Sequence, residues 1–292
     1  VVCHQSLYAE DKTNELEELM EQIDFDPSGI SSSIKTSEPY SMDIIVEVAN
    51  GLFKDNLTEA TDLLWADDNR VSMRSASGKI VYNILSGTFS YHVKGWINHA
   101  VAQCKQDNLN EAAAENIIAK LQKQIPDFPS DWVFLKRHEY ILDTGTPEGP
   151  NNDQKTVLYE YRFFRLIDGY TPSVGPGSET RVYLSPCGEL MALKFNWRHI
   201  DTAYDIKHED ISTKTEVAEI IMEYKNRYSF GNGGYLSEET IHCGYYEPEE
   251  VKAVTELKPV CIYSAMYSRE CSCEDGGTFP VEFVIPLTKQ SE

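Results

Sequence analysis

The chain has 292 residues, with 26 Lys and Arg against 47 Asp and Glu, and a formal net charge of −21. No basic stripe stands out along the sequence to neutralise phosphates, so no nucleic-acid partner is expected. With 41% hydrophobic residues, 17 Tyr, 11 Phe and 4 Trp the chain is too rich in core-forming side chains for disorder, and it contains no run of 18 apolar residues that would predict membrane insertion.

The length suits two or three domains. Residues 1–38 read as a polar N-terminal extension, with a short amphipathic helix over 15–23 and a loop at Pro27-Ser-Gly and Ser31-Ser-Ser. A first helix-plus-sheet unit is expected over 39–104. Ile45, Val48, Ala49 and Leu52 recur at helical spacing, and strands are predicted over 71–74, 79–85 and 89–93, separated by Ala76-Ser-Gly and Ser86-Gly. A second unit is expected over 105–200. Its helix over 108–124 carries Ala114, Ile117, Ile118 and Leu121 on one face and stops at Pro126. Strands follow over 132–135 and 157–167, then a hairpin of 181–184 and 190–197 around Cys187-Gly188. In the long strand, Tyr159, Tyr161, Phe163 and Ile167 alternate with polar residues, and Met191, Leu193, Phe195 and Trp197 share one face of the hairpin. A third, Cys-rich unit is expected over 201–292. Thr213-Lys-Thr-Glu216 fits a capping box before Val217, Ile220, Ile221 and Tyr224, and strands over 260–267 and 280–287 close the chain. This order predicts an α+β fold of repeated helix plus antiparallel sheet units, since a doubly wound α/β sheet would need a helix between consecutive strands.

The segment Tyr161-Arg-Phe-Phe-Arg165, Asp168-Gly-Tyr-Thr-Pro-Ser-Val-Gly-Pro-Gly177, Arg181-Val-Tyr-Leu184, Cys187-Gly-Glu-Leu190 and Trp197-Arg198 resembles the PepSY-type modules of secreted metallopeptidase propeptides and stand-alone extracytoplasmic proteins. The likeness is best over 157–198 and departs from the pattern at Tyr170 and Thr171 and in the Cys-rich 243–273 segment. It implies repeated PepSY- or cystatin-like units and a role in binding or inhibiting a partner.

Seven cysteines are present. Cys104, Cys187, Cys243, Cys261, Cys271 and Cys273 are disulfide candidates, with disulfides favoured over a metal site because Cys271-Ser-Cys273 lacks zinc-site spacing. Neighbouring CxC cysteines bridge each other poorly, so each is expected to reach elsewhere, and an odd count leaves at least one thiol free or intermolecular. The pairing stays open. An opening at Val1-Val2-Cys3 without Met is consistent with a leader already removed, and Asn56-Leu-Thr58 is a glycosylation sequon. Together these features predict a secreted protein.

No zinc helix, nucleophile elbow, phosphate loop or dinucleotide fingerprint occurs, so no reaction class is read, no cofactor is predicted and no metal site is expected. His92 and His99 near Trp96, and His199 and His208 beside Asp201, Asp205, Glu209 and Asp210, read as solvated loop residues before they read as acid–base pairs. A candidate ligand pocket comprises Tyr159, Tyr161, Phe163, Phe195 and Trp197 with Arg165, Arg181 and His199, although the same aromatics packed under a helix would be plain core. The expectation is a secreted module that engages a protein or peptide partner. The alternative is a secreted enzyme or carrier holding a small organic ligand among those aromatics.

Overall fold

The computed structural model describes residues 15–23, 32–36, 38–53, 63–66, 69–95, 111–143, 154–167, 171–198, 200–229, 234–248, 255–269 and 278–289. In chain order, α1 spans 15–22, β1 Ser32–Thr36, α2 Met42–Phe53, β2 Leu63–Ala66, β3 Arg70–Arg74, β4 Gly78–Asn83, β5 Phe89–Val93 and α3 Glu111–Gln124. Then come β6 Trp132–Asp143, β7 Gln154–Ile167, β8 Thr171–Val174, β9 Glu179–Leu184, β10 Leu190–Phe195, β11 Ile200–Asp205 and α4 Lys214–Ser229. The chain closes with β12 Gly234–Tyr246, β13 Glu256–Leu257, β14 Pro259–Arg269 and β15 Thr278–Pro286. Two compact units form. The larger holds residues 36–201 and 247–255; the smaller holds 1–35, 202–246 and 256–292.

In the larger unit one antiparallel sheet runs β6-β7-β9-β10-β5-β4-β3-β2, and β8 folds back on the end of β7. Alternation decides its two faces. Val71, Met73, Ile80, Tyr82, Phe89, Tyr91, Tyr161, Phe163, Val182, Leu184, Leu193 and Phe195 point inward. They meet Ile45, Val48 and Ala49 of α2 and Ala114, Ile117, Ile118 and Leu121 of α3, so both helices cover the same face. Each fully buried aromatic or large aliphatic side chain in this layer contributes about 1.5–3 kcal/mol.

The expectation of repeated helix-plus-sheet units is overturned. Strands dominate the chain, and β10 pairs with β5 through Leu193 opposite Tyr91 and Phe195 opposite Phe89. The strands after α2 and those after α3 therefore share one sheet and one core. A strand order of this kind is set by pairing between residues a hundred positions apart, which local periodicity does not encode. The register also shifts between Leu190 and Ala192, so Met191 packs with Val157 and Leu158 instead of joining Leu193 and Phe195.

In the smaller unit β12, β14 and β15 form an antiparallel sheet with His242, Ile262 and Val284 in one row, and β13 pairs with β1 through Leu257 opposite Ile34. The capping box opens α4: the Thr213 N–H donates to Glu216 Oε2 at 2.7 Å and the Glu216 N–H donates to Thr213 Oγ1 at 3.2 Å. Tyr224 of α4 stacks on Phe283 at 4.3 Å between centroids, which fixes the helix to the sheet. Cys243 and Cys261 face each other across β12 and β14 and are joined by a disulfide.

Candidate functional site

The seven described residues of the sequence-predicted pocket are divided between the two faces of the sheet. Tyr161, Phe163, Phe195 and Trp197 are fully buried in the main core, where Phe128 meets both Phe195 and Trp197 at 5.6 Å and Trp132 meets Phe163 edge-on at 5.3 Å. The Trp197 indole N–H donates to the Ser178 carbonyl at 2.6 Å, so its polar edge is satisfied inside the protein. Tyr159 is half-buried under the Arg137 guanidinium, 5.4 Å from the ring centroid. Arg165 lies on the inner face of β7, whereas Arg181 lies on the outer face of β9. His199 lies outside the described residues, as do Trp96, His99, Asn56, Cys3, Cys104, Cys271, Cys273 and the side chain of His208.

Arg165 ends in a buried charge cluster. Its guanidinium is 1% exposed and pairs with the Glu247 carboxylate, 3% exposed, while donating also to the Arg198 carbonyl. Burial pushes the Glu247 carboxyl up, and Arg165 and Arg198 pull it back. The segment carrying Glu247 is held by its backbone as well. The Glu247 N–H donates to Val174 O and the Gly177 N–H donates to Glu247 O, both at 2.8 Å. A Cβ on Gly177 would sit 2.5 Å from the Pro248 carbonyl, so only glycine admits this approach. The cluster fixes the turn after β8 at Gly175-Pro-Gly177.

The outer face of this sheet carries a second charge cluster, around Glu160. Glu160 is buried there by its neighbours: Tyr140 donates to it at 2.6 Å, Arg162 at 2.8 Å and Tyr183 at 3.3 Å. Burial works to raise the Glu160 carboxyl, but these hydrogen bonds and the charges of Arg162 and Arg181 outweigh it and hold the group below the ordinary carboxylate range. β6 pairs only with β7 among the described strands. Its register slips at Phe134/Lys136 and at Tyr140/Ile141, and Val133, Leu135, Tyr140 and Ile141 stand 40–54% exposed. The sequence signal reached only 132–135, because each bulge breaks the alternation that marks a strand.

In the smaller unit a groove of about 500 Å³ lies between α1 (Glu15, Glu18, Leu19, Gln22), Lys225 of α4 and residues 238–242 of β12. Lys225 Nζ lies 2.9 Å from both Glu15 and Glu239, and the Tyr263 hydroxyl donates to Glu239 at 2.8 Å. Burial would lower Lys225, yet the two carboxylates raise it. Glu238 holds φ at +53° beside a register shift between Ser237 and Thr240, a backbone conformation uncommon outside glycine. Among the described residues no cluster of three or more His, Cys, Asp or Glu is arranged to hold a metal ion.

Cys243 and Cys261, two of the disulfide candidates, are joined to each other, and Cys187 is also disulfide-bonded. No helix among the described residues is long and apolar enough to cross a membrane.

No protein-family model and no curated protein matches the chain. Among solved structures it is similar to an uncharacterized protein from Eubacterium rectale, with a TM-score of 0.47 and 13% identity over 90% of this chain and 85% of that one. It is also similar to the YpeB C-terminal domain of Bacillus megaterium, with a TM-score of 0.33 and 8% identity over 86% of this chain and 95% of that one.

Proposed function

We propose that this chain is an extracytoplasmic polypeptide-binding module that takes an extended segment of a partner protein as an added strand along β6. The observation that carries this reading is the edge of β6 that no other described strand covers, 12 residues long with four large apolar side chains exposed. An open strand edge offers a row of backbone donors and acceptors, and exposed side chains beside it select the incoming sequence. Covering the partner's segment in this way would inhibit whatever that segment does. The occupant is an extended segment of a different polypeptide, whose alternate apolar side chains would meet Val133, Leu135, Tyr140 and Ile141 beside the edge. The disulfides at Cys243–Cys261 and Cys187 support an oxidising compartment, and the PepSY-like motif over 157–198 supports a binding or inhibitory role.

The test is hydrogen exchange with a peptide chosen from an array of extended sequences that alternate apolar and polar residues. Binding should slow exchange across the amides of β6 and should be lost in the Leu135→Lys/Ile141→Lys variant. Protection that falls elsewhere, or binding that survives both substitutions, would overturn the assignment.

A further inference from the structure

The register of the larger unit's sheet lines up its outward side chains in rows that cross seven strands. One row reads Lys136, Arg162, Arg181, Lys194, Ser90, Val81, Ser72 from β6 to β3. The next reads His138, Glu160, Tyr183, Ala192, His92, Lys79, Arg74 across the same strands. These positions hold six Lys or Arg and one Glu, in a chain with 26 Lys and Arg against 47 Asp and Glu. These two rows thus carry the opposite charge to the protein as a whole.

Every one of the seven strands contributes a basic side chain to a band: Lys136, Arg162, Arg181, Lys194, then His92, Lys79 and Arg74. At ~4.8 Å between strands the band is about 29 Å long. Arg162 and Arg181 are balanced within it by Glu160 and Glu179, at 2.8–3.8 Å. Among the described residues Arg74, Lys79 and Lys136 have no ion-pair partner, and Arg74 and Lys136 are exposed. The band's field is felt by His92, which is held below its ordinary range by burial and then by Lys79 and Arg74.

We infer that this band is a docking site for an extended acidic segment of a partner polypeptide. The premise that the chain binds polypeptide is shared with the reading above, but the surface and the chemistry are different. Charges act over about 8 Å at physiological ionic strength. A short acidic segment lying along the band therefore meets an excess of cations, with Arg74, Lys79 and Lys136 carrying no ion pair among the described residues. A long polyanion, whether nucleic acid or sulfated polysaccharide, would run past the band onto a protein of net charge −21 and be repelled. Carboxylates on the flexible stems of Glu and Asp can also settle on lysines, which act as point charges without a fixed fork.

The probe is a fluorescein-labelled poly-glutamate peptide of about ten residues, which at ~3.4 Å per residue covers the band. Fluorescence anisotropy with the full chain should show saturable binding that weakens as salt rises. Arg74→Glu/Lys79→Glu should weaken it about tenfold or more, and Arg74→Gln/Lys79→Gln should weaken it less. Lys120→Glu on the exposed face of α3 adds negative charge away from the band and should leave the affinity within about twofold. Equal loss in the Lys120 variant, unchanged affinity in the Arg74/Lys79 variants, or no binding at all would overturn the proposal. So would tighter binding of heparin or a single-stranded oligonucleotide than of the peptide. The Leu135→Lys/Ile141→Lys variant separates the two readings. Acidic-peptide binding must survive it, and failure of the acidic peptide alone leaves strand addition at β6 standing.

Discussion

Replacing Glu247 by Gln tests whether the larger unit is locked by its buried charges. The substitution keeps the shape of the side chain and removes the carboxylate paired with Arg165. It leaves two guanidinium groups, at 1% and 5% exposure, without that counter-ion. Breaking a buried pair on one side costs about 3–5 kcal/mol, because the surviving charge keeps its desolvation penalty and loses its partner. For a unit of this size each kcal/mol lowers the melting temperature by about 2–4 °C, so a fall on the order of 10 °C is expected. The assay is tryptophan fluorescence during thermal or urea unfolding. All four tryptophans, Trp65, Trp96, Trp132 and Trp197, fall within the larger unit, so the signal reports that unit. Arg165→Met/Glu247→Leu removes both members of the pair and should recover at least half of the loss, since an apolar replacement has no charge to desolvate. If Glu247→Gln melts within a degree or two of the parent chain (about 0.5 kcal/mol on the same scale), or the double variant is as unstable as the single one, the cluster does not act as a lock.

Glu160 and the disulfide give two further expectations. The folded Glu160 carboxyl lies below its unfolded value, so its contribution to stability is fully present above about pH 4.3 and is lost as pH falls through the folded pKa. The urea midpoint of the parent chain should therefore drop more steeply below that pH than the midpoint of Glu160→Gln, and parallel curves would refute the assignment. Cys243–Cys261 closes a loop with a sequence separation of 18, for which chain entropy predicts about 3 kcal/mol of stabilisation. Cys243→Ala/Cys261→Ala should speed amide exchange across β12 and β14 by a factor of about 100, whereas an unchanged pattern would show that those strands open without passing through the unfolded loop.

Alternation and capping chemistry are sufficient to place several elements of this chain. β5 is where Phe89, Tyr91 and the adjacent Gly87 predict it, and α4 begins at the Thr213–Glu216 box because those two side chains satisfy each other's backbone donors locally. The buried positions of α2 and α3 also follow from helical spacing. These features depend on neighbours within about four residues, so the sequence carries them in full. What periodicity does not supply is the pairing of distant strands. Apolar residues at period two say that Phe195 and Phe89 are buried, but not that they face each other and fuse two expected units into one sheet. Register also decides the site. Lys136, Arg162, Arg181 and Lys194 are separated by up to 58 positions in the chain, and only hydrogen-bonded pairing brings them into a single row. The same holds for Arg165, which reads as a pocket residue in isolation and becomes a buried ion pair because Glu247 is returned to it from 82 residues away. Local chemistry determined where α2, α3, α4 and β5 lie and which side chains of α2, α3 and β5 are buried. Tertiary structure decided which of them meet, because a backbone hydrogen-bond ladder recognises geometry and not the identity of the side chains it aligns.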